Sequence, residues 1–278
     1  MSALSDKEIK NLEKKASEIR QSIIEMLVEA KSGHTAGALG MADIFALLYF
    51  HALNHTPENS HDSNRDRLVL SNGHICPVYY ATLAHRGFIP KEELMTLRKF
   101  GSRLQGHPHR DFLDILETSS GPLGSGLSQA VGMALAARMD KNPARIFALM
   151  SDGEQEAGMT WEAGMLAGKE KLNNLVAIID RNNIQIDGFT EDVMPLEPLA
   201  DKWRAWNWHV LEVDGHNFEE INNALEEAKS IHNRPTMIIA HTTPGKGVKE
   251  FENKYEWHGK PPTKEEGEIA LAELRKHD

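Results

Sequence analysis

The stretch SDGEQEAGMTWEAGMLAGKEKLNNLVAIIDRNN, residues 151–183, places polar residues at the ends of two apolar runs. Asp152 and Gly153 follow the run RIFALM, and Asn182 and Asn183 follow the run LVAIID. A helical pattern lies between the runs, which predicts two parallel strands joined by a helix. Neighbouring parallel strands lie about 4.8 Å apart, so their polar ends should meet at one edge of a sheet. That carboxyl edge is where open α/β sheets bind ligands.

The residue types at this edge predict a metal-bridged diphosphate. Asp152 offers a carboxylate, Asn182 offers an amide oxygen, and Gly153 allows the backbone to approach a ligand closely. One carboxylate with neutral oxygens suits Mg²⁺ that also takes oxygens from a bound phosphate. The next helix should begin nearby, and helix N-termini favour anions. Asp-Gly and Asn-Asn are also common turn residues, so it is their pairing at successive strand ends that favours binding.

The composition restricts the class of protein. A chain of 278 residues with 40% hydrophobic and 26% charged residues can bury a sizeable core. A formal charge of −10 argues against nucleic acid as the main partner. No apolar run reaches the roughly 18 residues of a membrane span, and the N-terminus lacks the apolar core of a signal peptide. The single cysteine, Cys76, fits a reducing compartment, so we expect a cytoplasmic protein without a membrane partner.

Apolar runs and helical periodicity alternate along the chain. Five runs predict buried strands: RLVL (with Leu68 to Leu70 as the strand), RIFALM, LVAIID, HVLEV and TMIIAH. Helical patterns cover residues 5–30, 41–53, 126–139, 161–171, 218–229 and 265–275. Ser5 and Glu8 form a candidate capping box for the first helix, and Gly33 is its predicted stop. The alternation predicts an α/β fold, with a doubly wound, mainly parallel sheet and helices on both faces.

The motifs at the strand ends resemble the signature of thiamine diphosphate enzymes, in which Gly-Asp-Gly opens and a later asparagine closes the motif. Ser151 stands in place of the first glycine. Further segments are similar to transketolase and follow its order: SGHTAGALG (32–40), LSNGH (70–74), GSRLQGHP (101–108), TSSGPLGSGLSQAVGMA (118–134), IQIDG (184–188) and WHGKP (257–261). Because they span nearly the whole chain, the resemblance implies the thiamine diphosphate-binding fold.

The resemblance also implies a partner chain. Transketolases carry a pyrimidine-binding domain and a third domain after this one, whereas this sequence ends soon after WHGKP. We therefore expect residues 1–278 to form a single diphosphate-binding domain with a polar extension from about residue 242. The chain resembles the N-terminal subunit of a split transketolase. Its partner would be a C-terminal subunit of roughly 300 residues, two domains of ordinary size, in an α₂β₂ complex.

The resemblance assigns the diphosphate end of the cofactor to five residues. Asp152, Asn182 and the backbone oxygen of Ile184 would hold Mg²⁺, for which Ca²⁺ or Mn²⁺ could substitute. Gly153 and His74 would contact the diphosphate itself. The proposed ligands of the cation are oxygen donors, as a hard cation requires.

The resemblance assigns the rest of the site to a second set of residues. Gly121 and Leu123 would contact the middle of the cofactor. His34, His107 and His258 would act catalytically around the first three carbons of the substrate, and His258 would also approach the diphosphate. The implied reaction moves a two-carbon ketol unit from a ketose to an aldose, and the C3 hydroxyl of the donor loses a proton. Imidazole donates or accepts a proton near neutral pH and so suits this step in both directions.

Three other functions fit parts of the sequence. A synthase that uses pyruvate to make a deoxysugar phosphate shares the cofactor, but His34 and His107 favour a hydroxylated donor. A catalytically silent binding subunit would share the fold, but Asp152, Asn182 and His258 are intact. A nicotinamide oxidoreductase would need a glycine-rich loop after a clear strand, which GPLGSG lacks. The sugars stay open: xylulose 5-phosphate is the default donor, with sulfonated or branched sugars as alternatives.

One position departs from the transketolase pattern. Ala157 stands where the family usually has a glutamate of a carboxylate network that links two cofactor sites. Glu156 lies one place earlier, and Glu162 matches a second position of that network. The departure predicts either that Glu156 reaches into the missing place or that the two sites communicate less.

Overall fold

The computed structural model describes residues 3–277 and contains a parallel five-stranded sheet of order β1-β2-β3-β7-β6. A separate antiparallel pair, β4 and β5, follows the end of β3. The strands are β1 (Arg67–Leu70), β2 (Ile146–Ser151), β3 (Leu175–Arg181), β4 (Ile184–Gln185), β5 (Gly188–Phe189), β6 (His209–Asp214) and β7 (Thr236–His241). All five predicted strands are present in the sheet, and the predicted α/β class is confirmed.

Helices precede, separate and follow these strands along the chain. They are α1 (Asp6–Ala30), α2 (Ala36–Gly40), α3 (Ala42–Leu47), α4 (Cys76–Arg86), α5 (Ser125–Met139), α6 (Gly158–Glu170), α7 (Thr190–Val193), α8 (Leu199–Ala205), α9 (Phe218–Ser230) and α10 (Lys264–Leu274). The helix predicted over 41–53 is present, and it consists of α3 followed directly by a π-helical turn at Leu48–Ala52. No helix in the part of the chain described is long and apolar enough to cross a membrane.

The first helix begins as predicted and ends differently. The Ser5 hydroxyl accepts a bond from the Glu8 amide, and the Glu8 carboxylate accepts one from the Ser5 amide at 2.8 Å. The predicted stop at Gly33 is wrong: Lys31 takes the left-handed conformation (φ 51°) and caps the helix. Gly33 (φ 134°) is needed for a close approach instead, since an added Cβ would lie 2.5 Å from Leu27 Cδ2.

Alternate residues of β2 and β3 pack on opposite faces of the sheet. Phe147 and Ile178 belong to the hydrophobic cluster that α1, α3 and α4 share, whereas Ala148 and Ile179 belong to the cluster beneath α5 and α6. This alternation explains why both runs are apolar throughout, as strands covered on both faces must be. The two strands pair in parallel with Ser151 opposite Asp180, so Asp152 and the residues after β3 meet at the same edge.

The polar segment after residue 242 packs against the body of the domain. Phe251 and Trp257 are buried, with ring centroids 3.8 Å apart. Helix α10 lies on α1, and an added Cβ on Gly267 would lie 2.4 Å from Val28 Cγ2. A few buried apolar side chains therefore hold this segment against the domain, although most of its residues are polar.

Candidate active site

A cavity of about 340 Å³ lies at the carboxyl edge of the sheet. It collects residues from both ends of the chain and from the loops after β1, β2 and β3. Its lining residues are His34, His74, His107, Gly121, Leu123, Ser151, Gly153, Glu156, Ile184, Gln185, Ile186 and His258. All four histidines that the resemblance implicates, and four of the remaining six predicted residues, therefore face one space.

Three of the imidazole rings form a compact group. The ring centroid of His34 lies 5.0 Å from that of His74 and 5.7 Å from that of His258, and the last two lie 5.1 Å apart. Burial, followed by His258, Arg98 and His107, lowers the pKa of His34 to about 4. Burial also lowers the pKa of His74 and of His258. The rings are therefore neutral at pH 7, and each can donate one hydrogen bond and accept another.

The contact between residues 35 and 260 brings His258 to this group. The Thr35 hydroxyl donates to the backbone oxygen of Lys260 at 2.6 Å. The ammonium of Lys260 in turn lies 3.9 Å from the centre of the Trp257 ring, a cation–π contact. These contacts hold the WHGKP segment across the cavity beside His34.

His107 lies at the exposed rim of the same cavity. Burial and the nearby Arg98 guanidinium lower the pKa of its imidazole. Gly121, whose φ is 150°, presents bare backbone to this ring, since a Cβ built there would lie 3.9 Å from it. Leu123, on the same loop, is 43% exposed and lines the cavity, so its side chain can make apolar contacts with a bound ligand.

The three predicted metal ligands lie together where β2 and β3 end. Asp152 is fully buried, and its carboxylate accepts bonds from the amides of Gly153 at 2.7 Å and Asn183 at 2.6 Å. The Asn182 amide oxygen accepts a bond from the Ile184 amide at 3.0 Å. Gly153 and Ile184 line the cavity, whereas Asp152 and Asn182 are buried behind this lining.

The donor set here fits a hard cation that shares its ligands with a phosphate. Burial raises the pKa of Asp152 to about 6, although Arg181 and two backbone amides oppose the shift, so additional positive charge would stabilise the carboxylate. Within residues 3–277 no group of three His, Cys, Asp or Glu side chains could hold a metal by itself. Oxygens from a bound diphosphate would complete the coordination of Mg²⁺ beside Gly153.

Arg181 is a member of this site that the sequence reasoning missed. It is 3% exposed, and its guanidinium donates to Asp152 at 3.2 Å and to Thr190 at 2.9 Å. Its other nitrogen donates to Glu191 and Glu197, each at 2.8 Å. An arginine at the end of a buried strand needs acidic partners, and this requirement was the available signal.

Glu154 is a second missed residue. Its carboxylate is buried and accepts bonds from the Ser71 hydroxyl, from the Gly124 amide at 2.5 Å and from the Ser151 amide at 3.2 Å. Burial raises the pKa of this group. The side chain thus joins the ends of β1 and β2 to the start of α5, and it fixes the loop that carries Gly121 and Leu123.

Ala157 lies against Gly124: a Cβ added to Gly124 would lie 3.0 Å from the Cβ of Ala157. Glu156 is exposed and lines the histidine cavity together with a neighbouring groove beside Trp161. Glu162 is exposed on α6. Glu156 thus lies at the cavity and Glu162 at the surface of α6, and no carboxylate stands at position 157 between them.

Comparison with known proteins adds independent information. Residues 12–276 match the family described as transketolase, thiamine diphosphate binding domain. The chain is 42% identical over 273 residues to a 6-deoxy-6-sulfo-D-fructose transketolase subunit from Clostridium sp. strain MSTE9, covering 98% of this chain and 99% of the relative. It is also 42% identical over 267 residues to one of the apulose-4-phosphate transketolase subunits of Phocaeicola vulgatus, covering 96% and 95%.

Longer transketolases match over part of their length. The rat transketolase is 39% identical over 266 residues, which are 93% of this chain and 41% of the relative. The crystal structure of transketolase from Campylobacter jejuni is similar with a TM-score of 0.89 at 37% identity, covering 96% of this chain and 43% of that chain. The two subunits match from end to end, whereas these proteins extend well beyond the shared region.

Proposed function

The chain belongs to the transketolase family, and we propose that it is the diphosphate-binding subunit of an enzyme that moves a two-carbon ketol unit from an anionic ketose to an aldose. The observation that carries this proposal is the cavity in which His34, His74, His107 and His258 converge, with Asp152 and Asn182 buried behind its lining. Neutral imidazoles can hydrogen-bond sugar hydroxyls and exchange protons with them near pH 7.

The proposed role of each histidine follows from its position in the cavity. His34 and His107 would bind the hydroxylated carbons of the donor, and one of them would take the C3 hydroxyl proton when the C2–C3 bond breaks. His258 lies beside His34 and His74, so it would act between the sugar and the diphosphate. Bound thiamine diphosphate would supply the nucleophilic carbon and the electron sink. The protein's part is orientation, exclusion of water and proton transfer.

The diphosphate end of the cofactor would rest on the ends of β2 and β3. Asp152, Asn182 and the backbone oxygen of Ile184 would hold Mg²⁺, or Ca²⁺ or Mn²⁺ in its place. Gly153 and His74 would contact the diphosphate. The burial of Asp152 supports this assignment, because a desolvated carboxylate gains most from a nearby divalent cation.

The remaining parts of the site would come from a partner chain that carries the pyrimidine-binding and C-terminal domains. Supporting this, the two similar subunits are matched along 99% and 95% of their lengths. Apolar side chains are also exposed here: Ile186, which lines the cavity, is 64% exposed, and Met194, in the neighbouring groove, is 56% exposed. A partner surface that covered them would exclude water, and we propose an α₂β₂ assembly in the cytoplasm.

The relatives narrow the class of substrate. One is named for a sulfonated ketose and the other for a branched sugar phosphate, so both names point to anionic sugars. We propose an anionic donor here as well, and the first donor to test is xylulose 5-phosphate, a pentose phosphate. The pyruvate-using synthase and the silent subunit are not favoured, because these relatives are named as transketolase subunits.

The deciding experiment assays each chain alone and the mixture. The partner tested is a C-terminal transketolase subunit that carries the pyrimidine-binding and C-terminal domains, and the donors are xylulose 5-phosphate, 6-deoxy-6-sulfofructose and apulose 4-phosphate. We expect ketol transfer only in the mixture, with a mass by light scattering that corresponds to two copies of each chain. Full activity of this chain alone, or an inactive mixture of folded, associated chains, would contradict the proposal.

A further inference from the structure

Arg98 connects the two segments that carry His34 and His107. Its guanidinium donates through Nη1 to the Ser32 hydroxyl at 3.0 Å and through Nη2 to the backbone oxygen of Gly106 at 3.2 Å. The first partner lies two residues before His34, and the second lies immediately before His107. A single planar group therefore spans two segments that are far apart in sequence.

The packing around this guanidinium leaves little freedom. A Cβ added to Gly106 would lie 2.7 Å from Arg98 Cζ, so the guanidinium rests directly on bare backbone. A Cβ added to Gly33 would lie 4.0 Å from Arg98 Nε on the other side. The Nε atom is buried without a partner among residues 3–277, so the other two nitrogens alone make the connection. A lysine could carry the charge here but could not reproduce the planar fork.

The same cation influences both imidazoles. Burial and then Arg98 lower the pKa of His107, and Arg98 follows burial and His258 among the causes that lower the pKa of His34. The other titratable groups near these rings are His74, His258 and Glu156, which line the same cavity, and Arg98 itself. Arg98 therefore favours the neutral form of both rings while it fixes their backbones.

We propose that Arg98 is a positioning residue that sets the spacing between His34 and His107, and so determines how the hydroxylated donor is seated. The inference rests on the proposed function, in which these two histidines contact the donor. Arg98 does not line the cavity, so it acts through the two histidines rather than on the sugar.

The test compares Arg98→Lys, which keeps the charge and loses the fork, with Arg98→Met, which loses both. Arg103→Met is the control, since the Arg103 guanidinium is half exposed and pairs with Glu93 on the surface. The assembled two-chain enzyme is assayed with xylulose 5-phosphate, or with 6-deoxy-6-sulfofructose if the wild type uses it faster. Donor kcat/KM is measured against pH, and thiamine diphosphate affinity is measured by calorimetry.

We expect both Arg98 variants to lower donor kcat/KM by about 10–100-fold, because small displacements of contacting groups have effects of this size. Cofactor affinity should stay close to that of the wild type, since Arg98 contacts none of the residues assigned to the diphosphate. Only Arg98→Met should move the acid limb of the pH profile to higher pH, because removing the cation raises the pKa of His107. If Arg98→Met does not fold, Arg98→Lys still tests the spacing.

Two controls separate this inference from the proposed function. If His107→Ala lowers donor kcat/KM but both Arg98 variants keep wild-type values, the positioning role is wrong. If donor kinetics and cofactor affinity fall equally in the Arg98 variants, the residue is a general structural element and the inference fails. If His34→Ala and His107→Ala both retain wild-type donor kinetics, the assignment of the donor site fails, and this inference fails with it.

Discussion

The guanidinium of Arg181 lies 3.2 Å from the carboxylate of Asp152, and both side chains are buried. Asp152 thus has a cationic partner at the place where a divalent cation is proposed to bind. Breaking a buried ion pair leaves an uncompensated charge, which is far costlier than losing an exposed pair. The two residues therefore offer a way to separate stability from cofactor binding.

Replacing Arg181 with glutamine should destabilise the cofactor-free protein by about 3 kcal/mol, because Asp152 loses its partner. Saturating Mg²⁺ and thiamine diphosphate should reduce this deficit, since the metal ion then compensates the carboxylate. Chemical denaturation with and without both ligands measures the difference, and Arg204→Gln on the exposed face of α8 is the control. An equal deficit under both conditions would argue that Asp152 does not contact the metal.

Replacing Asp152 with alanine should abolish metal-dependent cofactor binding while the chain still folds. Arg181 keeps Glu191 and Glu197 as partners, so its charge stays compensated. Loss of a residue that supports a metal ligand costs roughly 10–100-fold in affinity, and loss of a direct ligand should cost at least as much. Calorimetric titration of the assembled enzyme with thiamine diphosphate and Mg²⁺ measures the effect. Near wild-type affinity would refute the assignment, and Asp201→Ala, an exposed change, should leave affinity unchanged.

Replacing Ala157 with glutamate should place a carboxylate beside Gly124. In the proposed α₂β₂ complex, this carboxylate should change how the two cofactor sites influence each other. We expect the Hill coefficient of thiamine diphosphate binding to change while ketol transfer persists. Glu162→Gln provides the second arm, because it removes the other matched position of the network. Superimposable binding curves for the wild type and Ala157→Glu would remove support for communication through this position.

His55 should make the protein less stable in mild acid. The ring is 2% exposed between Tyr49 and Phe88, and its nitrogens have no partner within residues 3–277. Burial lowers its pKa to about 3, so the unfolded chain takes up the proton first as the pH falls below about 6.5. This residue's contribution is therefore complete above pH 6.5 and declines below it, by about 2 kcal/mol at pH 5.

The variant His55→Leu tests this reasoning, because leucine fills a similar volume and does not titrate. Urea denaturation at pH 7.5 and pH 5 should show a smaller loss of unfolding free energy in the variant than in the wild type. His61→Leu, at an exposed position, should behave like the wild type. Identical pH dependence of the wild type and His55→Leu would mean that His55 is not buried in its neutral form.

The sheet was predictable because its strands are short apolar runs covered on both faces, such as residues 146–151 and 175–181. Their polar ends also predicted the edge of the sheet at which the cavity lies. The end of α1 was not predictable in this way, since Lys31 adopts a left-handed conformation that sequence patterns reserve for glycine or asparagine. The cap is made by the backbone, since the Lys31 amide donates to the backbone oxygen of Leu27 at 3.0 Å, so the type of side chain does not reveal it.

The site was less predictable where it depends on partners distant in sequence. Glu154 received no role from the sequence, yet its carboxylate joins Ser71 to Gly124 in the folded protein. Arg181 immediately precedes Asn182 in the sequence, but its partners Glu191 and Glu197 reach it only after the chain has folded back. Composition and spacing cannot specify such contacts, because they arise from tertiary packing.

The bond from the Thr35 hydroxyl to the oxygen of Lys260 has a consequence for synthesis of the chain. His34 leaves the ribosome early, whereas His258 follows only after the last strand, β7, has been made. The nascent domain can thus build its sheet while the cavity still lacks one wall. The cavity is then completed late in biogenesis, and a chain that has not yet reached Lys260 lacks the wall that carries His258.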